Sequence, residues 1–538
     1  MNDKSCSNNA TKSKYKIPLS IFFKDARLVF KFDSLAKEIL GIAFPSALAI
    51  AADPIASLIE TAFIGHLGPV QLAAAGVAIA LFNQASKVTI FPLVSITTSF
   101  VAEEDTLEKN NTTAMEKKPI ENIMDKSKDV ALPQDIEEYA SEEKNETPTQ
   151  VLAASVELIE KSTEHETNNG DGTNTSNSNS GRKKRHISSA STALLFGLIL
   201  GLIQAATLLF AAKPLLRVMG LKSNSPTLIP AEKYLKLRSL GAPPMLLSLA
   251  MQGIFRGFKD TTTPLYVIVL GYSVKIALDP VLIYAFKWGL NGAAISHVFS
   301  QYMMALVLLL ILLTKVVLMP PSIKDLQFSR FLKNGGMLFA KVVAVTFCVT
   351  LAASLASRLG SIQMAAFQTC LQVWLTSSLL SDGLAIAVQA ILASSFAEKD
   401  YDKVVAATTR TLQMTLVLGL GLSLVGSCLY FGAGMFSESG PVVHLIRIAV
   451  PFVAATQPIN ALAFVFDGVN YGASDFAYSA YSMVMVSFAT IASLFLLYKS
   501  NGFIGIWIAL TIYMTLRMFA GLFRMGTCSG PWRFLRGY

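Results

Sequence analysis

Long apolar runs constrain this chain more than any other feature of its sequence. The runs at 241–255 and 265–285 flank a short polar segment that contains Arg256, Lys259 and Asp260. Each run is close to the roughly 20 residues with which a helix crosses a bilayer. Hydrocarbon offers no hydrogen-bond partners, so a spanning run must satisfy its backbone internally. With 52% hydrophobic and 15% charged residues, the sequence predicts an all-α integral membrane protein. Twelve spans are predicted, near 38–65, 71–101, 190–213, 232–255, 264–286, 290–315, 335–358, 363–397, 407–431, 442–470, 476–498 and 502–524.

Part of this pattern occurs twice. The polar segment at 256–260 has a second copy at 471–475, and Pro243 matches Pro458 at the same offset of 215. Six spans in each half is an even number, so both halves enter the membrane in the same orientation. We therefore expect two six-helix lobes related by a pseudo-two-fold axis along the membrane normal.

A second internal match locates an insertion in the first half. Residues 67–74 resemble 359–366 at an offset of 292, so the first half has about 77 extra residues after this point. The polar segment 102–187, with 19 acidic and 11 basic residues, accounts for them. The predicted organisation is a cytosolic tail (1–36), N-lobe helices 1–2 (37–101), a long disordered acidic loop (102–187), N-lobe helices 3–6 (188–318), an inter-lobe linker (319–334), C-lobe helices 7–12 (335–525) and a cytosolic C-terminal tail (526–538).

Basic residues predict the orientation. Lys and Arg are concentrated in the tails and in the short connections on the N-terminal side of the membrane, which the positive-inside rule assigns to the cytosol. The long loop then lies in the cytosol and ends at Arg182-Lys-Lys-Arg185, a juxtamembrane anchor. Phosphorylation of Ser188 or Ser189 beside it is a regulatory alternative.

Acidic side chains inside the spans are the first candidates for function, because each is costly in hydrocarbon. Asp53 precedes Pro54 and Asp279 precedes Pro280, and a proline frees a carbonyl and bends a helix, so these acids can face a wet cavity. There they could bind a proton or a sodium ion; pairing with a lysine is the structural alternative. Glu60 lies seven residues after Asp53, near the outer end of its span, and could be no more than an exit-side group. The other embedded acids are Asp382 and Asp467.

Four basic side chains are equally out of place in lipid: Lys87, Lys275, Lys341 and Arg517. Because they come from both halves, they predict a cavity for an anion. A cavity for organic cations would be dominated by acids and aromatic rings. Lys275 and Asp279 are four residues apart and could simply neutralise each other.

No catalytic motif is present. The sequence has no P-loop, no HExxH and no Cys/His cluster, and its five cysteines have no metal-ligand spacing. We expect no enzymatic activity, cofactor, bound metal or nucleic-acid partner, so transport would draw on an ion gradient or on the gradient of the substrate.

Four segments resemble the multidrug and toxic compound extrusion (MATE) family. They are ADPIASLIETAFIGH at 52–66, FPLVSITTSFVAEE at 91–104, the stretch 239–265 and FDGVNYGASD at 466–475. More narrowly, they are similar to the plant citrate-effluxing branch, the ferric reductase defective 3-like and aluminium-activated citrate transporters. The long acidic loop is a further mark of that branch.

This resemblance implies a twelve-helix antiporter whose two lobes rock to exchange a cation for substrate. It assigns cation coupling to Asp53, Asp279 and Asp467. Tyr272 departs from the branch, which commonly has an acid there. The stretch SLGAPPMLLSLAMQGIFRGFKDTTTPLY resembles the citrate-exuding motif of the branch, with Gly241, Pro243, Gln252, Arg256, Gly257, Lys259 and Asp260 as its marked positions.

The expected function is proton- or sodium-coupled efflux of citrate or a related organic anion across a plant plasma membrane by a monomer surrounded by lipid. It would serve iron translocation or aluminium tolerance. Efflux of phenolic acids, flavonoid conjugates or organic cations is the alternative substrate reading, and an endomembrane or plastid envelope is the alternative location. A receptor or scaffold that works through its acidic loop is the alternative from another class of protein.

Overall fold

The structure is a computed structural model that describes residues 33–128, 185–219, 224–317, 328–428, 430–435 and 440–537. Helices dominate these residues, with one two-residue parallel strand pair, β1 (Arg185–His186) and β2 (Val316–Val317). The helices are α1 (Ser34–Gly65), α2 (Pro69–Lys128), α3 (Ser188–Phe210), α4 (Ala212–Val218), α5 (Leu228–Ser239), α6 (Ala242–Gly257), α7 (Thr262–Pro280), α8 (Leu290–Lys315), α9 (Phe328–Leu359), α10 (Ser361–Glu398), α11 (Tyr401–Cys428), α12 (Gly440–Ala455), α13 (Gln457–Gly472) and α14 (Phe476–Gly526).

Among the described residues, nine helices are long and apolar enough to cross a membrane, and the bent pair α12 and α13 makes a tenth span. The all-α membrane fold expected from the sequence is confirmed. The sequence predicts twelve, and the difference lies in α14 and in the α5–α6 region. The 51-residue α14 is interrupted at Gly502, whose φ of 55° and ψ of −122° are not helical, and α5 and α6 together replace the predicted fourth span.

The second helix ends later than the sequence predicts. Instead of ending near residue 101, α2 continues to Lys128, because residues 102–128 are rich in Glu and Lys, which favour helix. Residues Lys109–Lys184 form a unit separate from the rest of the chain, and of this unit only the helical part is described. The expected disorder in the remainder of the loop concerns residues outside the described ranges.

The two halves repeat in backbone conformation. Lys259 (φ 60°) and Ser474 (φ 55°), 215 residues apart, have the same left-handed conformation in the turn after α6 and α13. Gly68 and Gly360 adopt φ angles of 123° and 134° at the other offset, 292. We call α1–α8 the N-lobe and α9–α14 the C-lobe.

Packing repeats in the same way. A Cβ added to Gly201 on α3 would lie 2.6 Å from the Cα of Pro243, and one added to Gly419 on α11 would lie 2.5 Å from the Cα of Pro458. In each lobe, a helix passes so close to the proline-containing start of another that only glycine fits at the crossing. These prolines stand in the first turn of α6 and α13, where a missing N–H costs nothing.

The lobes meet at the helix ends nearest the N-terminus of α1. Gly383 on α10 packs on α1, where an added Cβ would lie 2.6 Å from the carbonyl oxygen of Ala43. Gln389, also on α10, donates hydrogen bonds to the carbonyl of Ser95 (2.7 Å) and the hydroxyl of Ser99 (3.0 Å) on α2. The lobes are therefore closed against each other on this face.

The C-terminal segment is packed and not a free tail. Residues Gly530–Gly537 form a 3-10 helix after α14. Trp532 is fully buried, edge-on to Phe396 with ring centroids 5.7 Å apart, and Phe534 stacks on Tyr401 at 4.5 Å. This segment covers the turn between α10 and α11.

Candidate functional site

Four charged side chains meet in the interior of the N-lobe. Lys275 on α7 lies 3.0 Å from a carboxylate oxygen of Glu60 on α1 and 3.0 Å from one of Asp279, one turn further along α7. Arg238 on α5 approaches the other oxygen of Glu60 at 3.1 Å. We call Glu60, Arg238, Lys275 and Asp279 the N-lobe cluster; it ties three helices together.

Polar and aromatic neighbours complete the N-lobe cluster. Tyr234 donates its hydroxyl to Glu60 at 2.7 Å, and Ser296 on α8 donates to Asp279. The guanidinium of Arg238 lies 5.4 Å from the ring centroid of Phe82, and that ring is edge-on to His297. Each carboxylate thus has at least two donors, as buried charges require.

The N-lobe cluster is closed and electrically neutral. Its two cations balance its two carboxylates, and all four side chains are at most 3% exposed. Lys275 holds apart two carboxylates that would otherwise repel each other at close range. The ion pairs of the cluster therefore join α1 to α5 and α7.

Asp53 is not part of the ion pairs of the N-lobe cluster, although it is close enough to Arg238 to interact with it electrostatically. Its side chain is exposed and accepts a hydrogen bond of 2.7 Å from the hydroxyl of Tyr272 on α7. The sequence suggested that Asp53 and Asp279 act together and gave Glu60 a minor role near the exit. In the structure, Glu60 is the acid that shares a partner with Asp279, because the seven-residue spacing places it two turns closer to the end of α7.

A second group of charges lies within the C-lobe. Asp467 on α13 is 2.6 Å from Lys341 on α9 and accepts a bond from Arg517 on α14. Lys341 also donates to the hydroxyls of Tyr471 and Ser479, both at 2.7 Å. We call Lys341, Asp467 and Arg517 the C-lobe cluster, in which two cations share one carboxylate.

A cavity of about 10 Å³, room for about one water, adjoins the C-lobe cluster between α13 and α14. Asp467, Asn470, Ser482 and Arg517 line it, so its wall is polar on one side. Asp382 on α10 is half-buried, close enough to Asp467 and Arg517 to interact with them electrostatically. Arg256 of the N-lobe interacts with Asp382 in the same way.

Lys87 is exposed on α2, and none of the described residues forms an ion pair with it. The structure therefore brings the four predicted bases to three different places: Lys275 in the N-lobe cluster, Lys341 and Arg517 in the C-lobe cluster, and Lys87 alone. Within the described residues, no group of three or more His, Cys, Asp or Glu side chains is arranged to hold a metal ion.

The first marked residues of the predicted citrate-exuding motif have packing contacts. Gly241 separates α5 from α6, and Pro243 is the residue that Gly201 approaches. Gln252 is buried in α6. A Cβ on Gly257 would lie 2.8 Å from the side chain of Val101, so the end of α6 is pressed against α2.

The last marked residues form the turn to α7. Lys259 pairs with Glu38 on α1 at 2.7 Å. Asp260 accepts bonds from the backbone N–H (3.1 Å) and hydroxyl (2.8 Å) of Thr263 and from Lys315. Burial alone would raise the pKa of Asp260, but the hydrogen bonds from Lys315 and Thr263 outweigh it and lower the pKa below its usual value.

Sequence reasoning missed the residues that complete both clusters. Apart from Arg238, these residues have no distinctive pattern along the chain. They are Arg238, Tyr234 and Ser296 in the N-lobe and Tyr471 and Ser479 in the C-lobe. Arg238 offered the only hint, since it is a charge at the start of an apolar run. Serine and tyrosine are ordinary in membrane helices, so their roles depend on which helices pack together.

The fold has close counterparts among solved structures of transporters. A MOP-superfamily transporter from Pyrococcus furiosus superposes with a TM-score of 0.71 at 17% identity, covering 95% of this chain and 99% of that one. A MATE transporter from Vibrio cholerae gives 0.71 at 14% identity, covering 94% and 98%. The helical, two-lobe arrangement of this chain therefore has the MATE fold.

Sequence comparison then identifies the family. A MatE family model matches residues 175–281 and 338–496. Protein DETOXIFICATION 43 of Arabidopsis thaliana is 59% identical over 97% of both chains, and Protein DETOXIFICATION 42 of the same plant is 54% identical over 96% of this chain and 97% of its own. This chain belongs to the MATE family of membrane transporters.

Proposed function

We propose that this MATE transporter exports citrate or a related small carboxylate in exchange for a proton or a sodium ion. The observation that carries the proposal is the C-lobe cluster, in which Lys341 and Arg517 share the single carboxylate of Asp467. A carboxylate ligand supplies the anion that two buried cations lack, and Arg binds carboxylates through paired hydrogen bonds. The adjoining cavity holds about one water, so citrate would reach the cluster only when the lobes separate.

Coupling is assigned to the carboxylates of the N-lobe. A cation bound at Asp53, or at Glu60 and Asp279 of the N-lobe cluster, would change how α1 pairs with α7. The cation then shifts the population between two arrangements of the lobes, because it binds one arrangement better than the other. Asp382 and Asp467 would respond to the same movement in the C-lobe.

Location and physiology follow from the same hypothesis. Both termini and the 102–187 segment would lie in the cytosol of a plant cell, with the carrier in the plasma membrane. Citrate released outside would chelate iron during its translocation or aluminium at a root surface.

A second candidate is export of phenolic acids, flavonoid conjugates or organic cations. The names of the Arabidopsis relatives, Protein DETOXIFICATION 42 and 43, favour this broader class. The embedded bases are compatible with aromatic acids, which are also carboxylates, and are unfavourable for organic cations.

Radiolabelled citrate loaded into oocytes tests the proposal. The wild-type protein should release citrate at a rate that differs between two external pH values, or between external solutions with and without sodium. Lys87→Ala and Asp53→Asn should each lower release at unchanged surface expression. No citrate release from wild type at the cell surface, with release of a labelled phenolic acid, would favour the second candidate.

Tyr272 and Tyr284 offer a matched control for the coupling. Both hydroxyls donate from the same stretch of chain to α1, Tyr272 to the Asp53 carboxylate at 2.7 Å and Tyr284 to the carbonyl of Phe63 at 2.6 Å. Tyr272→Phe should lower efflux driven by a proton or sodium gradient, since Asp53 then loses the hydrogen bond that joins it to α7. Tyr284→Phe should leave that efflux unchanged. Equal efflux in both variants would remove the contact between Asp53 and Tyr272 from the coupling.

A further inference from the structure

Helix α2 holds the start of α3 through the carboxylate of Glu104, which the transport sites do not use. Glu104 accepts hydrogen bonds from the hydroxyl of Ser188 (3.2 Å) and from the backbone N–H (2.9 Å) and hydroxyl (2.7 Å) of Ser189. Ile187, the N-cap residue of α3, provides no side-chain cap. Glu104 therefore caps α3 from a neighbouring helix, where a negative charge is favourable.

The same two turns of α2 also hold the lobes together. Glu103 pairs with Arg330 at the start of α9 at 2.6 Å. Ser99 donates to the carbonyl of Tyr471 at 2.8 Å and accepts from Gln389 at 3.0 Å, so it joins the N-lobe to two C-lobe helices. Any change that displaces Glu104 acts within one turn or two of these lobe contacts.

The sequence before Ser188 is strongly basic. Arg182-Lys-Lys-Arg185 precedes it, and Arg185 stands three residues before the Ser188 hydroxyl. Serine three residues after arginine is a common substrate pattern of basophilic protein kinases. Ser188 is half-buried in the first turn of its helix, whereas Ser189 is fully buried.

We propose that Ser188 is a phosphorylation site that loosens the closed contact between the lobes. A basophilic kinase would transfer the γ-phosphoryl group of ATP to the Ser188 oxygen. The new bond joins that oxygen to phosphorus, the bond to the β-phosphate oxygen breaks, ADP leaves, and a base of the kinase takes the hydroxyl proton.

The phosphate would compete directly with Glu104. It brings about 1.5 to 2 negative charges and strong acceptor oxygens to a helix N-terminus, where its oxygens can accept from the Ser189 N–H. Two anions cannot share that site, so Glu104 is expelled and the part of α2 around Glu104 shifts. Weakened contacts of Ser99 and Glu103 then favour separation of the lobes on this face.

The first measurement is phosphopeptide mass spectrometry of the full-length protein from plant cells, and of purified protein treated with a basophilic kinase and ATP. The expected result is phosphate on Ser188. Absence of phosphate on Ser188 in both samples would overturn the proposal.

The second measurement reports on the lobes without using any substrate. Ser99→Cys and Gln389→Cys, in a chain whose five natural cysteines are replaced, provide a cross-linking pair across the lobe contact. Ser188→Glu should slow cross-linking at least about threefold, and Ser188→Ala should leave it unchanged. Ser188→Glu with Glu104→Gln should restore the rate, because the amide still accepts from Ser189 but does not repel the new carboxylate. Equal rates in all four backgrounds, or no rescue by Glu104→Gln, would overturn the mechanism.

Discussion

The two lobes share backbone conformations at equivalent turns and differ in how their buried charges are paired. In the N-lobe cluster, two carboxylates and two cations neutralise one another at the ends of α1 and α7 near Gly65. In the C-lobe cluster, two cations share one carboxylate nearer the opposite ends of the helices, beside a small polar cavity. The first arrangement is complete without a ligand, and the second has one positive charge to spare.

The difference arises at positions that the repeat makes equivalent. Gln252 of the N-lobe corresponds to Asp467 of the C-lobe, and Arg256 corresponds to Tyr471, at the offset of 215. Pro243 and Gly257 have counterparts in Pro458 and Gly472, and the turn keeps an aspartate in both lobes, while the charges within α6 and α13 differ. The two lobes thus carry two different electrostatic sites, one whose charges are balanced and one in which two cations share a carboxylate.

The largest expected effect separates the two clusters by stability. Lys275→Met leaves Glu60 and Asp279 buried without the cation that lies between them, and breaking a buried pair from one side costs about 3–5 kcal/mol. The variant should have a markedly lower thermal unfolding midpoint in detergent. Adding Asp279→Asn should recover part of the loss; a wild-type midpoint for the single variant would show that the N-lobe cluster is not held by charge.

Lys341→Met makes the matched change in the C-lobe. Asp467 keeps Arg517, so the remaining pair is neutral and the unfolding free energy should change by less than about 2 kcal/mol, below the cost of an unpaired buried charge. Carboxylate efflux should fall about tenfold or more, the effect of losing roughly 1.4 kcal/mol of ligand binding. Unchanged efflux in liposomes containing the variant would exclude Lys341 from anion binding.

Glycine substitutions test the close helix packing that the two lobes share. Gly201→Ala and Gly419→Ala each place a methyl group against a proline backbone, and overpacking of this kind costs about 1–3 kcal/mol. Both variants should lose similar stability in the same unfolding assay. Gly421→Ala, on the helix of Gly419 but with no atom within 4 Å of the added Cβ, is the control and should be neutral.

The smallest effect concerns the turn at Asp260. Because its pKa is lowered in the folded protein, its stabilising contribution is present at neutral pH and is lost as the pH falls through that lowered pKa. Asp260→Asn should therefore reduce the unfolding free energy by about 1 kcal/mol at pH 7, and the two proteins should converge in acid. At neutral pH alone, Asp475→Asn tests whether the equivalent turn of the C-lobe depends on its ion pair with Arg524 at 2.6 Å. A constant difference at every pH would refute the charge explanation.

Local sequence determined the architecture. Apolar runs of bilayer length specified helices, since no other backbone satisfies itself in lipid. The offsets of 215 and 292 located the repeat, because similar residues recur at these spacings. The turns at Lys259 and Ser474, 215 residues apart, accordingly have the same backbone conformation. The same logic singled out Glu60, Lys275, Asp279, Lys341, Asp467 and Arg517 as charges that must have partners.

Only the tertiary structure determined which residues pair with these charges. Glu60 and Arg238 are 178 residues apart and Lys341 and Asp467 are 126 apart, so no periodicity along one helix could pair them. Ion pairs and hydrogen bonds form only when the partner atoms lie within about 4 Å, and those distances are fixed by how the helices pack. The sequence by itself supplied the charges; the packing of α1 with α5 and α7, and of α13 with α9 and α14, determined which charges are balanced and which are not.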